Sequence, residues 1–324
     1  MIAVLLALSM QTTDDGNGSD YDVLIIGGGP AGLSAALQLG RSLRSVLICD
    51  NNEPRNEPAV EAHGYLTRDG IPPQKLRRLG REEVAKYGCE FQESQVTDIT
   101  RDEDRFTSTL DTDVTVTSRK IVLATGVSDM LPDTDGFEEL WGNGVYHCPY
   151  CHGYEVRDKP LGVLVTAPEQ LEHTKLIYNL STDLVVFTNG QDVFDEETRS
   201  EFVERGIEIE GEPITALNGT DDGLESISLA DGRNVSRHAL FYAPPTQQHS
   251  NLVNQLGLQV NESGLVETTQ SQYGTGFTSV DGLFVAGDAS SESALSIPCA
   301  VADGSMVGGT VNLELSRETF EERW

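Results

Sequence analysis

Lysine is nearly missing from this chain, with five residues in 324: Lys75, Lys86, Lys120, Lys159 and Lys175. Basic residues number 22 against 52 acidic ones, a formal net charge of −30. Such a surface repels the phosphates of nucleic acid and of anionic membranes, so neither is expected as a partner. Long hydrophobic runs are also lacking. The apolar stretch Met1–Met10 is far too short to span a bilayer and has neither a basic residue nor a small-residue cleavage pattern. A cytoplasmic protein is expected, with a cleaved leader as the alternative, Met10 as a second candidate start, and residues 1–20 as a disordered tail. Acid spread along the whole chain resembles proteins of salt-loving organisms, whose cytoplasm screens the self-repulsion. An acidic mesophilic protein with a partner-selecting face is the alternative. Five cysteines, an odd number without regular spacing, do not make a secreted disulfide scaffold. Cys49, in an apolar run, and Cys89, after Gly88, read as structural.

Hydrophobic residues make up 38% of the chain, below the usual share, but they recur in short runs that argue against disorder. At this length two domains of ordinary size are expected. Tyr21–Ile26 reads as a strand, followed by a glycine turn and a helix to Leu39. Ser45–Cys49 is a second strand closed by Asp50. Pro73–Tyr87 is a helix stopped by Gly88, Glu90 to Thr117 an antiparallel meander, and Lys120–Ala124 a buried strand. The order then repeats: strand Leu161–Val165, helix Glu169–Leu180, strand Leu184–Thr188, helix Glu196–Arg205, short strands, and a return strand Leu240–Ala243. Leu283–Asp288 and a helix over Cys299–Leu315 resume the first style. The fold class is therefore α/β, with two Rossmann-like dinucleotide-binding domains. One is formed by 21–126 with 244–324, and the other, 127–243, is inserted into it.

Gly27-x-Gly29-x-x-Gly32 follows a strand and opens a helix, the context that a dinucleotide fingerprint requires. Gly27 permits the tight turn, Gly29 lets a pyrophosphate approach the backbone, and Gly32 lets helix and strand pack closely; Pro30 and Ala31 belong to the same turn. Asp50, at the end of the second strand, is positioned to accept ribose hydroxyls. Gly287-Asp288, after an apolar strand, would set a second carboxylate against a sugar or ribityl hydroxyl.

Cys148-Pro149-Tyr150-Cys151-His152 is a candidate two-electron redox switch, because two thiols at this spacing can close one small disulfide loop. If Pro149 begins a helix, its dipole favours a thiolate at Cys148, and His147 or His152 could move protons near neutral pH. Other readings compete. C-x-x-C-H is also the haem-attachment pattern, which needs export. C-P-Y-C is a glutaredoxin pattern, usually early in its own small fold. A zinc site would want two further ligands, so no metal is expected. Two inert buried thiols are the plainest alternative.

In order along the chain, Gly27–Gly32, Ala124-Thr125-Gly126, the C-x-x-C and Ala286-Gly287-Asp288 resemble the low-molecular-weight thioredoxin reductases. More narrowly, Pro54-Arg55-Asn56, His63-Gly64 and Cys148–Gly153 resemble that family's thioredoxin-reductase-like branch, which includes FAD-dependent dithiol oxidases. The resemblance implies an FAD-dependent thiol–disulfide oxidoreductase, with Asn56, Ala124, Thr125 and Gly126 joining Gly27, Gly29, Pro30, Ala31, Gly32, Asp50, Gly287 and Asp288 around the cofactor. It further implies Cys151 as the thiol nearest the flavin, Cys148 as the one that meets substrate, a homodimer, and a thioredoxin-like protein or a small dithiol or disulfide as partner.

The second domain departs from that pattern. Val165-Thr166-Ala167-Pro168-Glu169-Gln170-Leu171 holds no glycine, Glu169 would repel a phosphate, and Phe187-Thr188-Asn189-Gly190 lacks the arginines that pair a 2′-phosphate. NADP(H) binding is thus in question. Electrons could run from a dithiol to oxygen, or a ferredoxin-type donor could serve. Leu295-Ser296 replaces the family's Arg-Gln pair, His152 replaces its acid after the second cysteine, and Cys299 reads as a packing residue. A non-catalytic flavin-binding redox sensor is the rival reading from another class.

Overall fold

The computed structural model describes residues 20–102, 104–272, 274–290 and 295–321. The expected tail lies outside the described residues up to 19, and Asp20 already belongs to the first strand.

The first unit starts with β1 (Asp20–Ile26), α1 (Pro30–Arg41), β2 (Val46–Asp50), α2 (Pro73–Ala85) and β3 (Glu90–Glu93). β1, β2 and β3 lie side by side and parallel. Glu90–Glu93 therefore continues the parallel sheet, where the sequence reads as the start of a meander. Four residues are too few for alternation to reveal the neighbour, and Phe91 packs into the α1-side core. The meander itself is β4 (Val96–Asp102), β5 (Arg105–Leu110) and β6 (Thr115–Leu123), antiparallel in turn, and β6 ends parallel to β1.

The chain leaves this unit through β7 (Val127–Asp129) and enters a second one. There β8 (Val145–Tyr146), the short α3 (Pro149–His152), β9 (Leu161–Leu164), α4 (Leu171–Tyr178), β10 (Leu184–Phe187), α5 (Glu196–Glu204) and β11 (Glu208–Glu210) follow one another. An antiparallel trio, β12 (Ile214–Thr220), β13 (Gly223–Leu229) and β14 (Asn234–Ser236), precedes β15 (Ala239–Phe241). β11, β10, β9, β15 and β8, in that order, form a parallel sheet. The helix expected from Glu169 begins only at Leu171, because Pro168–Gln170 forms a tighter 3₁₀ turn.

The chain returns through β16 (Thr246–Gln248), which pairs antiparallel with β7, so both crossings run through one two-stranded ribbon. α6 (Leu252–Gln255), β17 (Thr269–Ser271), β18 (Gly274–Phe277), β19 (Leu283–Val285) and α7 (Ile297–Glu321) complete the first unit. β19 lies parallel to the other side of β6, giving the order β17, β18, β19, β6, β1, β2, β3. α7 runs six residues past the expected Leu315: its polar end carries no apolar period, yet Glu318 pairs with Arg119 at 2.8 Å and Lys120 at 2.5 Å on β6.

Strand alternation explains the layers. Val23 and Ile25 pack toward α1 and α7, while Leu24 and Ile26 pack toward β4, β5 and α6. The second sheet repeats this, with Val163 and Val186 on one face and Leu164, Val185 and Phe187 on the other. Both sheets are buried on two faces, so the loops at their strand ends are where chemistry can be placed.

Candidate active site

Gly27 adopts φ +108°, and a Cβ there would collide with the carbonyl of Ala124. A Cβ on Gly32 would strike the carbonyl of Gly27, so this glycine sets helix against strand. Gly29 caps α1 and has open space where its side chain would be, which leaves the helix N-terminus approachable. Asp50 supports the turn from behind. Its Oδ1 accepts the Gly28 N–H at 3.0 Å and its Oδ2 accepts from Arg81 at 2.8 Å, so both oxygens are engaged before any ribose is considered.

One cavity of about 640 Å³ runs from this turn to the cysteine pair. Gly27, Gly29, Pro30, Ala31, Asp50, Asn56, Ala124, Thr125, Gly126, Gly287 and Asp288 line it, together with His147, Cys148, Cys151 and His152. Gly32, packed behind the turn, is the sequence-predicted residue that does not. Asp288 Oδ1 and Thr125 Oγ1 are buried without hydrogen-bond partners among the described residues, and the glycine turn leaves room for a phosphate. Open backbone at a helix start and unpaired buried acceptors for hydroxyls suit a dinucleotide.

Cys148 and Cys151 form a disulfide with Cα atoms 5.2 Å apart; Cys148 is the N-cap of α3, and the Cys151 and His152 N–H groups return to its carbonyl at 3.1 and 3.2 Å. Burial, with the Arg55 cation nearby, pushes His147 down to about 4. Burial and the neighbouring His63 also lower His152, whose ring stacks on Tyr146 with centroids 4.5 Å apart. Cys49 also lines the cavity, but burial pushes its thiol up to about 12, which leaves it unreactive. Cys299 lies outside the cavity wall, its N–H on Ser296 Oγ at 3.4 Å.

A charged bridge crosses the cavity. Arg55 Nε and Nη2 hold both oxygens of Asp129 on β7 at 3.0 and 2.6 Å, and Nη1 reaches Asp288 Oδ2 at 3.4 Å. Burial, opposed by Arg55, leaves the Asp288 carboxyl above its ordinary range.

A pyridine nucleotide-disulphide oxidoreductase family model matches residues 21–304. The chain belongs to that family. It is 33% identical to thioredoxin reductase SirT of Leptosphaeria maculans over 313 residues, which is 91% of this chain and 94% of that protein. Its fold is similar to the crystal structure of HlmI, with TM-score 0.86 and 35% identity over 95% of this chain and 97% of that one. It is also similar to an oxidoreductase from Agrobacterium tumefaciens, with TM-score 0.84 and 33% identity over 91% and 98% of the two chains. This oxidoreductase is therefore thioredoxin-reductase-like, with two Rossmann-like units and a dithiol–disulfide chemistry.

In the second unit the loop after β9 has no glycine and is closed by one of its own side chains. In that loop the Gln170 Oε1 accepts the N–H groups of Thr166 at 2.7 Å and Ala167 at 3.2 Å, and its Nε2 donates to the Ala243 carbonyl at 2.8 Å. The Thr166 and Ala167 N–H groups are thus engaged within the loop. After β10, Asn189 is likewise engaged, its Oδ1 accepting the Ile214 N–H at 2.8 Å.

Several cavity residues escaped sequence reasoning. Asp129 stands beside Arg55, and His249, just after β16, joins Ser128 at 2.8 Å and Asn51 at 3.3 Å. No local pattern marks them, because each meets its partner only through the crossing ribbon. Trp141 and Tyr146, which flank His147 and His152, were equally silent. Among the described residues no helix is long and apolar enough to cross a membrane.

Proposed function

We propose that this chain is an FAD-dependent thiol–disulfide oxidoreductase that takes electrons from a dithiol through Cys148–Cys151 and passes them to oxygen rather than exchanging them with NADP(H). One observation carries the reading: the disulfide and the dinucleotide cradle share a single cavity. FAD, when bound, supplies the two-electron redox chemistry. Gly27, Gly29, Pro30, Ala31, Gly32, Asn56, Ala124, Thr125, Gly126, Gly287 and Asp288 would hold it, with Asp50 supporting the turn. A substrate thiolate attacks Cys148, the Cys148–Cys151 bond breaks, and the second substrate thiolate displaces Cys148 to close the substrate disulfide. His152, which directly follows Cys151, would take or return protons, whereas His147, held down to about 4 by burial and Arg55, is a poor acceptor near neutrality. The internally satisfied Gln170 loop supports the omission of NADP(H), and the resemblance to thioredoxin reductase SirT supports the class. Residues 21–126 and 244–324 would form the FAD unit around the inserted 127–243. A homodimer in a salt-rich cytoplasm, acting on a thioredoxin-like protein or a small dithiol, completes the reading.

Anaerobic rapid mixing of the flavin-loaded protein with dithiothreitol or with NADPH tests this. Dithiothreitol should bleach the flavin, air should restore its colour with hydrogen peroxide as product, and NADPH should leave it unchanged. Fast bleaching by NADPH refutes the oxidase reading. Cys148→Ser and Cys151→Ser should each abolish repeated turnover while flavin stays bound. Activity retained in either removes the pair from the mechanism, and a single stoichiometric oxidation without cycling points to a sensor instead.

A further inference from the structure

Four of the six histidines line the redox cavity, and two of them face one another beside the disulfide. His152 directly follows Cys151. One face of its ring lies on Tyr146 at an interplanar angle of 12°, and His63 meets it edge-on at 6.4 Å and 82°. The Nδ1 of His152 is buried and has no hydrogen-bond partner among the described residues.

His63 comes from the long loop between β2 and α2. Its Nε2 lies 3.5 Å from Glu61 Oε2 and 3.8 Å from Glu155 Oε1, and its Nδ1 lies 3.5 Å from Asp69 Oδ1. The His63 side chain is only 16% exposed, whereas those of Glu61, Glu155 and Asp69 are 52%, 42% and 70% exposed. His63 thus has an inner neighbour at the sulfurs and an outer ring of solvated acids.

We propose that His63 passes protons between His152 and the solvated carboxylates of Glu61, Asp69 and Glu155 during exchange at Cys148–Cys151. The inference rests on the thiol–disulfide reading above. A substrate dithiol brings two electrons and two protons. Its first thiolate bonds to one cysteine sulfur as the Cys148–Cys151 bond breaks, and its second displaces that cysteine and closes the substrate disulfide. The electron pair ends on the two cysteine sulfurs, and the two protons must reach those thiolates or water. His152, neutral because it is buried, can accept one proton but cannot hold a second. The groups facing the histidine pair are Tyr146 from β8, Glu155 from beyond α3, and Glu61 and Asp69 from the His63 loop itself. Three carboxylates within 4 Å of one imidazole give a proton leaving it more than one solvated acceptor. The same path admits protons when exchange runs in reverse. His63 acts through His152, so it is a positioning residue rather than a catalytic one.

The test is the rate at which dithiothreitol reduces Cys148–Cys151 in the flavin-loaded protein, read by quenching into an alkylating reagent and weighing the product, across pH and in light and heavy water. His63→Gln should slow reduction roughly tenfold near neutrality and flatten the pH profile, and added imidazole should restore His63→Ala. A His63→Gln profile that superimposes on the wild type overturns the proposal. Should both His63 variants fail to fold, the triple variant Glu61→Gln, Asp69→Asn, Glu155→Gln carries the test: a displaced profile supports the path, and an unchanged one overturns it. A wild-type disulfide that dithiothreitol cannot reduce overturns the underlying thiol–disulfide reading, and this inference with it.

Discussion

At the residue scale, His147 carries a stability signature that can be measured. Its imidazole falls from the ordinary 6.5 to about 4 because it is buried and close to Arg55. The unfolded chain therefore takes up a proton below pH 6.5 that the folded chain refuses until about 4. The contribution is complete above that window and is lost as pH falls through it, by roughly 3 kcal/mol for a shift of this size. Urea titrations of wild type and His147→Gln across the window should show the wild type losing that much more stability than the variant; parallel slopes would mean that His147 protonates freely. The Arg55 bridge to Asp129 and Asp288 has the same local character, three charges far apart in sequence whose burial is made tolerable by pairing with one another.

At the scale of elements, two contacts decide how the units are built. α1 and α7 approach so closely that a Cβ on Gly304 would meet the Ala31 backbone, and one on Gly308 would lie 2.8 Å from the Ala35 carbonyl. Gly304→Ala should therefore cost about 1–3 kcal/mol in a denaturant titration, because neither backbone can yield without disturbing the glycine turn. In the second unit, Gln170→Ala would leave the Thr166 and Ala167 N–H groups without acceptors, at a cost of about 1–3 kcal/mol in thermal or chemical unfolding. A neutral outcome would show those donors to be hydrated, and the loop to be open to an anion after all.

For the whole molecule, charge dominates. A net charge of −30 spread over 324 residues repels itself, and the ordered pairs, such as Lys120 with Glu318, recover only part of that cost. Salt screens the remainder over about 10 Å at 0.1 M and about 3 Å at 1 M. The melting temperature should climb steadily as potassium chloride rises from low to molar concentration, followed through flavin fluorescence. A flat response would remove the salt-adapted reading.

The glycine fingerprint, the C-x-x-C and the alternation of strands were legible in the sequence because each depends on neighbours within a few residues. Backbone geometry forces glycine at Gly27 and Gly32, and two sulfurs three positions apart can meet in one turn. The absent glycines after β9 were legible for the same reason, although the sequence did not tell that Gln170 fills the gap. The placement of β3, the Arg55–Asp129–Asp288 bridge, His249, and the meeting of His63 with His152 were not legible. Each joins segments tens to hundreds of residues apart, and only the packed sheets and the crossing ribbon bring them within contact. The sequence by itself determined the two nucleotide-type units and the redox pair. The tertiary structure decided that the pair shares one cavity with the glycine turn, because folding brings strand-end loops from distant parts of the sequence together there.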